Sequence, residues 1–351
     1  MIDWRKSMYQ TYEFYTVNPT TWLDNKRLNT ILSCNIVRDL EADTKGSASF
    51  NTTSILGECY IRPYLVVFQN GEKHKEALGT YLCQTPSDSF DGKTHGISVD
   101  AYTPLTELQE KNPPIGYSVA KGQNVLDIAS ELTKENLRAP VIFGKGSETL
   151  PYEFVANIDD TWLDYLSDML AYGKCTYGLD DLGRIIFVPN QDINSLQPVW
   201  TFTDDDESIL YPQFTVDKDL YGIPNVLEVI YSAGSTTLYS RVVNDSIGSP
   251  ISTVNRGREI VYRDTDPELN GTPNQEQLDV YARNKLKQLS SLEYTLTYSH
   301  GYCPIRVGDC VRLDYERENL HVKARVTRQS ISCVTGCTVE ETAVYTENLW
   351  E

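Results

Sequence analysis

The eight cysteines of this chain are a first candidate for binding a metal ion. The cysteines stand singly and form no Cys-x-x-Cys pair, at Cys34, Cys59, Cys83, Cys175, Cys303, Cys310, Cys333 and Cys337. The last four could converge on one zinc ion if neighbouring strands bring them together, although their spacings match no common structural zinc site. The alternative, which we favour, is that the cysteines are small buried apolar side chains. We therefore predict no metal and no cofactor.

The histidines and carboxylates offer no recognisable catalytic motif. His74, His95, His300 and His321 stand alone in predicted turns or strands, and we predict that each lies on the surface. A triad could still assemble in space, but no Gly-x-Ser-x-Gly elbow, His-Glu-x-x-His helix or phosphate loop is present. The acidic run at 204–207 could bind a divalent cation and is more typical of a solvated turn. The sequence predicts that the chain is not an enzyme.

The net charge argues against nucleic acid as a specific partner. Lys and Arg number 31 against 49 Asp and Glu, which gives a formal charge of -18. Such a field repels phosphate backbones. We predict no membrane insertion, because no apolar run approaches the roughly 20 residues of a spanning helix. The N-terminus has charged residues where a secretory signal has its apolar core, so we expect the chain to fold in a reducing cytoplasm.

Residues 116–132 resemble the first half of a LysM module, which binds N-acetylglucosamine polymers of cell walls. The shared features are a strand, the Lys121-Gly122 turn and a capped helix, which together form a common supersecondary unit. The segment that follows lacks the second helix, the Gly-x-x-Leu sequence and the closing strand of such a module. Binding or degradation of peptidoglycan through this stretch is the alternative function that remains open.

Period-two alternation of apolar and polar side chains predicts that most of the chain is antiparallel sheet. The C-terminal blocks at 292–300, 304–315, 322–330 and 331–345 alternate in this way and indicate a meander. Near the N-terminus, residues 12–16 alternate like a first strand, and further strands are predicted at 31–37, 47–53 and 97–102. Asn70-Gly71 favours a type I′ hairpin turn. Pro63 should lie on an edge or at a bulge.

Helical periodicity appears in three segments. One helix is predicted after Asn124, which can cap it, a second beginning at Asp159-Asp160-Thr161 that Gly173 stops, and a third over 277–292. A hairpin around 181–183 follows the second helix. Residues 244–275 are rich in turn-forming residues and are predicted to be an exposed loop.

These elements predict a mainly β protein with an α+β insertion and two β-barrel domains in one subunit. The first barrel, with an N-terminal aromatic arm, is predicted at residues 1–110 and the insertion at 111–199. The second barrel is predicted at 200–243 and 293–351, with a connecting loop and helix at 244–292. No internal repeat is visible.

Taken in order, the segments resemble bacteriophage tail hub proteins, a family that includes baseplate hubs and the N-terminal hub region of tail-associated proteins. The resemblance is carried by residues 79–86 closing the first hairpin, 99–105, 121–124, 160–166, 180–184 and 304–311. Their order and spacing match the family better than any one of them does. The positions that carry it, and that we expect to have structural roles, are Asn70, Gly71, Gly79, Pro86, Trp162, Gly183, Pro304, Gly308 and Asp309.

The resemblance implies a structural protein of the virion, at the tail tip or baseplate, that is assembled in the cytoplasm of the bacterial host. It implies a homotrimeric ring that adapts a hexameric tail tube or distal tail ring to the tip and lets DNA pass during ejection. The implied partners are the distal tail or tail tube protein, the tape measure protein, and a tail spike, fibre or receptor-binding protein. A closed ring needs equal contacts around its axis, so a trimer with two similar barrels per subunit can meet six tube subunits.

Overall fold

The structure is a computed structural model, and it describes residues 2–90, 92–93, 95–142, 146–233, 236–267, 269 and 274–350. The chain divides into two compact units. The first comprises Met1–Phe214 with Tyr298–Ala343, and the second comprises Thr215–Thr297 with Val344–Glu351. The mainly β class predicted from the sequence is confirmed.

The strands, in chain order, are β1 (Tyr9–Val17), β2 (Asp24–Leu28), β3 (Ile31–Asp39), β4 (Gly46–Thr52), β5 (Cys59–Gln69), β6 (Glu72–Ala77), β7 (Tyr81–Phe90), β8 (His95–Tyr102), β9 (Ser118–Val119), β10 (Val141–Ile142), β11 (Phe154–Val155), β12 (Cys175–Leu179), β13 (Ile185–Pro189), β14 (Trp200–Thr203), β15 (Leu210–Lys218), β16 (Val226–Ala233), β17 (Thr236–Val243), β18 (Val261–Asp264), β19 (Ser291–Gly301), β20 (Cys310–Tyr315), β21 (Leu320–Ser332) and β22 (Thr338–Asn348). The helices are α1 (Thr106–Gln109), α2 (Val125–Asn136), α3 (Trp162–Tyr172), α4 (Thr253–Arg256) and α5 (Gln275–Leu289).

One sheet joins the N-terminal and C-terminal strands of the first unit. Its hydrogen-bonded order is β15-β19-β22-β21-β3-β4-β8-β7-β5-β1-β2, with β20 on β21, β14 on β20 and β6 on β5. The junction is the antiparallel pair β21–β3, in which Ile331 lies opposite Ile36. Both side chains are buried, so the core continues across the junction. The pairings among the described strands do not close into a barrel, and the division into two barrels therefore stays a prediction.

The Asn70-Gly71 hairpin forms as predicted. Asn70 and Gly71 have φ angles of 53° and 83°, and they connect β5 to β6 with Gln69 opposite Glu72. Positive φ at both positions is the signature of the type I′ turn. Pro63 lies inside β5 and not on an edge strand. On one side of β5, Pro63 lies opposite Phe14 of β1. On the other side, the pairing with β7 ends at Ile61 and the pairing with β6 begins at Tyr64, so Pro63 falls in a gap between the two. No hydrogen bond of the sheet is therefore lost because proline has no N–H.

Two predicted helices are confirmed, and each has a side-chain cap at its N-terminus. The Asn124 side chain accepts hydrogen bonds from the backbone N–H groups of Leu126 and Asp127 at the start of α2. Thr161 and Asp164 form a reciprocal capping box at the start of α3. The apolar faces of both helices pack in one core with β12 and β13. Val17, Trp22 and Tyr60 from the N-terminal part of the chain share this core, so the predicted boundaries of the α+β insertion at 111–199 stay a prediction.

The second unit contains the three-stranded sheet β17-β16-β18, and α5 packs on it. The prediction that residues 244–275 are an exposed loop is wrong in part, because α4 and β18 lie within that range and Ile251 is buried. The buried side chain of Asn225 explains why part of this segment has a defined structure. Its Nδ2 donates to the carbonyl oxygens of Ile251 and Arg258, and its Oδ1 accepts from the N–H of Ile260 at 2.7 Å.

Candidate functional site

The turn between β12 and β13 docks on the main sheet through one backbone carbonyl. The carbonyl oxygen of Leu182 accepts hydrogen bonds from Trp22 Nε1 at 2.9 Å, Thr80 Oγ1 at 2.8 Å and Arg62 Nη2 at 3.1 Å. Trp22, Arg62 and Thr80 are all buried. The α+β insertion is therefore attached to the sheet at a specific contact whose three donor side chains are buried.

The residues around Leu182 hold the turn in the conformation that docking needs. The Asp180 carboxylate accepts hydrogen bonds from the backbone N–H groups of Leu182 at 3.0 Å and Arg184 at 2.8 Å, and from Arg184 Nε at 2.7 Å. Gly183 has a φ of 71°, and a Cβ added there would lie 2.7 Å from Thr80 Cβ. Glycine is required at this position both by the backbone conformation and by the space.

Asp181, on the same turn, lies between two arginines from other parts of the chain. Its carboxylate is 3.7 Å from the Arg38 guanidinium and 3.1 Å from Arg306 Nε. Burial acts against the charge of Arg306, but the hydrogen bond and the charge of Asp181 leave the pKa of Arg306 raised. Because the Arg38 side chain is only 12% exposed, its charge needs a nearby carboxylate. The Asp181 carboxylate thus links β3, the insertion and the 304–309 segment electrostatically.

A cavity of about 350 Å³ lies beside this docked turn, with mainly apolar walls. Gly79, Gly183, Gly308 and Asp309 all line it. The structure therefore brings together four positions that the sequence analysis singled out in separate segments. Burial is the main cause of the raised pKa of Asp309, although hydrogen bonding and charge from Arg306 oppose it.

The other positions singled out from the sequence lie elsewhere. Asn70 and Gly71 form the exposed hairpin turn, and Pro86 is exposed in β7. Trp162 begins α3 and is buried in the core of the insertion, and Pro304 is exposed in the turn before β20. The structural role expected of these positions stays a prediction.

A buried polar network was missed by the sequence analysis. His300, predicted on the surface, is fully buried, and its Nε2 lies 3.3 Å from Glu341 Oε1. Tyr298 Oη donates to Glu341 Oε2 at 2.7 Å, and Gln329 Nε2 donates to Glu341 Oε1 at 2.5 Å. Burial acts to raise the pKa of Glu341, but these hydrogen bonds and the imidazole of His300 leave it lowered. The burial of His300 could have been predicted from the alternation of side chains along the strand. Leu296, Tyr298 and His300 are at alternate positions and therefore share the buried face of β19.

The remaining candidate ligands do not assemble into a metal site in the described part of the chain. No group of three or more His, Cys, Asp or Glu residues there is arranged to hold a metal ion. Cys303, Cys310, Cys333 and Cys337 are buried, as the small-apolar interpretation predicts. In the acidic run, Asp204 accepts hydrogen bonds from the backbone N–H groups of Glu316 and Arg317. His74 and His321 lie near carboxylates at the surface, and the side chain of His95 falls outside the described residues.

The LysM-like stretch is a packing unit of the insertion. It forms β9, a turn and α2, and Val125, Leu126, Ala129 and Leu132 are buried in the core. β9 pairs antiparallel with β11, which precedes α3 in the chain. The apolar residues that carry this resemblance are thus accounted for by the core. Within the described ranges, every helix is too short or too polar to cross a lipid bilayer.

Solved structures with a similar fold include two tail proteins and a chain of a PdpA-VgrG complex. The tail protein from Neisseria meningitidis MC58 is 14% identical, with a TM-score of 0.61 over 97% of this chain and 98% of that one. The 43 kDa tail protein of prophage MuSo2 from Shewanella oneidensis is 13% identical, with a TM-score of 0.60 over 95% and 98%. A chain of the Francisella PdpA-VgrG complex is 11% identical, with a TM-score of 0.56 over 96% of this chain and 53% of that one.

The fold is therefore shared with these tail proteins, and the resemblance stated from the sequence is confirmed at the level of fold. No protein-family model matches the sequence. A comparison with curated protein sequences found no match either.

Proposed function

We propose that this chain is a structural subunit of a phage tail or of a related tail-like particle. The observation that carries the proposal is the match to tail proteins over nearly the full length of both chains. A match of this extent includes the insertion and the second unit as well as the main sheet. If the chain were an unrelated enzyme that shared one domain with tail proteins, the match would cover only part of its length. Because one fold can serve several functions, the tail role needs the direct test given below.

Within the tail, the proposed role is that of the hub. The subunits form a homotrimeric ring at the tip, which adapts the hexameric tube or distal tail ring to the tip components and lets DNA pass. The sequence-based division into two barrels supplies the two similar faces per subunit that such a ring needs. The tape measure protein and a spike, fibre or receptor-binding protein complete the proposed set of partners.

The proposal assigns no catalytic step to the chain. His300 and Glu341 are the pair that most resembles a catalytic dyad, and neither side chain is exposed to solvent. A substrate would have to open the core to reach them. The docked turn instead performs a mechanical task, because it fixes the insertion to the main sheet through buried hydrogen bonds.

The decisive test is the symmetry of the particle around this polypeptide. Purified particles carrying an affinity-tagged copy of the chain should be imaged by electron cryomicroscopy, with untagged particles as the control. We expect three copies around the tail axis at the tip. Absence of the chain from the particle, or a copy number other than three around the axis, would contradict the hub role.

A second assay separates the alternative function. The purified chain should neither sediment with peptidoglycan nor lower the turbidity of a cell-wall suspension. Sedimentation with the polymer would favour a wall-binding role for the 116–132 stretch, and loss of turbidity would favour wall degradation. A monomer in dilute solution would not decide between them, because ring subunits can remain separate until assembly.

A further inference from the structure

Cys59 and Cys83 face each other across the antiparallel pair of β5 and β7. They are direct partners in the strand register. Directly opposed residues in such a pair have Cα atoms about 4.5–5.5 Å apart, which lies within the range of about 4.4–6.8 Å that a disulfide requires. Both cysteines are free thiols in the structure. The strand register therefore places the two Cα atoms within the range that a cross-strand disulfide needs.

The two thiols are unequal. Cys59 is half-buried, whereas Cys83 is 2% exposed, so only Cys59 is open to solvent. The interaction between the two thiols lowers the pKa of Cys59, and the same interaction together with burial raises the pKa of Cys83. Because the thiolate is the attacking species, Cys59 is the residue that meets an external oxidant and Cys83 is the residue that resolves the product.

A second cysteine pair in the same sheet provides an internal comparison. Ser332 lies opposite Asn35, so the next step of the register places Cys333 opposite Cys34, and the Cys333 N–H donates to the Cys34 carbonyl at 2.9 Å. Both of these side chains are buried, with exposures of 1% for Cys34 and 5% for Cys333. The strand geometry is similar, but solvent access is not. Oxidation of this pair should require unfolding.

We propose that Cys59 and Cys83 form a thiol–disulfide site that is reduced in the producing cell and closes to a disulfide in an oxidising medium. The bond would tie β5 to β7, two neighbouring strands of the main sheet. The site itself follows from the geometry of the strands. Its timing, after the particle leaves the cell, rests on the proposed function.

The oxidant is a small-molecule disulfide, for which glutathione disulfide is the probe. The Cys59 thiolate attacks one sulfur, a glutathione thiolate leaves, and a mixed disulfide forms on Cys59. Cys83 then loses its proton to solvent and its thiolate attacks Cys59 Sγ, which releases the second glutathione. Two protein thiols are oxidised to one disulfide, and one glutathione disulfide is reduced to two glutathione molecules.

The test is oxidation of the purified full-length chain with glutathione disulfide, followed by proteolysis and mass spectrometry without a reductant. We expect a peptide linked through Cys59 and Cys83, while Cys34 and Cys333 stay alkylatable only after denaturation. The midpoint of thermal unfolding should rise by roughly 5 °C and return on reduction, as expected for a cross-link that restricts the unfolded chain.

Cys59→Ser should abolish both the linked peptide and the rise in midpoint, and Cys175→Ala is the matched control that should keep both. A mixed disulfide that persists on Cys59, no change in mass, or oxidation of Cys34 and Cys333 before Cys59 and Cys83 would each overturn the proposal. None of these results bears on the tail role, which is decided by the position of the chain in the particle.

Discussion

The docked turn between β12 and β13 predicts a large effect of a single added methyl group. In Gly183→Ala the new Cβ would lie 2.7 Å from Thr80 Cβ and 3.1 Å from Thr80 Oγ1. Relief of the overlap requires the turn to move away from Thr80, which weakens the hydrogen bond from Thr80 Oγ1 to the Leu182 carbonyl. The substitution therefore acts on the contact that attaches the insertion.

The expected loss of stability is the sum of two costs. Alanine in the left-handed backbone region costs about 1–2 kcal/mol, and overpacking in a filled site costs about 1–3 kcal/mol. We expect the free energy of unfolding of Gly183→Ala to fall by about 4 kcal/mol. Each kcal/mol lowers the unfolding midpoint by about 2–4 °C in a protein of this size, so thermal and urea denaturation will resolve the effect.

Gly308→Ala is the matched control. Gly308 lines the same cavity and has a φ of 92°, but a Cβ added there meets no atom within 4 Å. This variant should lose only the conformational term of about 1–2 kcal/mol. Hydrogen–deuterium exchange should rise in residues 175–189 of Gly183→Ala and not in those of Gly308→Ala. Equal losses of stability in the two variants, with equal exchange, would refute the claim that close packing on Thr80 holds the turn.

Three further substitutions test other contacts. Glu341→Gln should lower the free energy of unfolding by about 3 kcal/mol at pH 7, because it removes one partner of a buried pair with His300. The folded-state pKa of Glu341 is below its ordinary value of 4.5. The stabilisation by Glu341 is therefore fully present above pH 4.5 and is lost as the pH falls through the folded-state pKa. In urea titrations, the difference in stability between wild type and Glu341→Gln should be smaller at pH 3 than at pH 7. Thr161→Ala removes the α3 capping box and should cost about 1 kcal/mol in thermal unfolding. Arg62→Met should cost about 2–4 kcal/mol, and its effect should be less than additive with Gly183→Ala in a double-mutant cycle, because both act on the Leu182 carbonyl.

Local signals in the sequence predicted local structure well. The Asn70-Gly71 turn, the Asn124 cap and the helix start near Thr161 each depend on a few adjacent residues, and each forms as expected. In such cases the side chain and the backbone group that it satisfies are neighbours in the sequence. The required conformation is therefore visible without knowledge of the tertiary fold.

Contacts between distant segments were not predictable from local patterns. Asp180 and Gly183 indicated a hairpin turn, but nothing in the turn itself shows that its Leu182 carbonyl meets Trp22 and Arg62, which are more than a hundred residues away in the sequence. The loop prediction for 244–275 failed for the same reason. A single buried side chain, Asn225, orders that segment from outside it.

The buried polar network explains how the junction of β21 with β3 keeps one register. Gln329 lies directly opposite Arg38 in this pair, accepts a hydrogen bond from Arg38 Nη1 at 3.2 Å and donates to Glu341 on β22. A slip by one residue would turn Gln329 to the other face, remove a donor from the buried Glu341 carboxylate and take Ile331 out of the core. Each of these changes leaves a buried group unsatisfied or an apolar group in water. Because an unsatisfied buried charge costs more than a shifted apolar contact, the network selects the register in which the C-terminal strands join the N-terminal sheet.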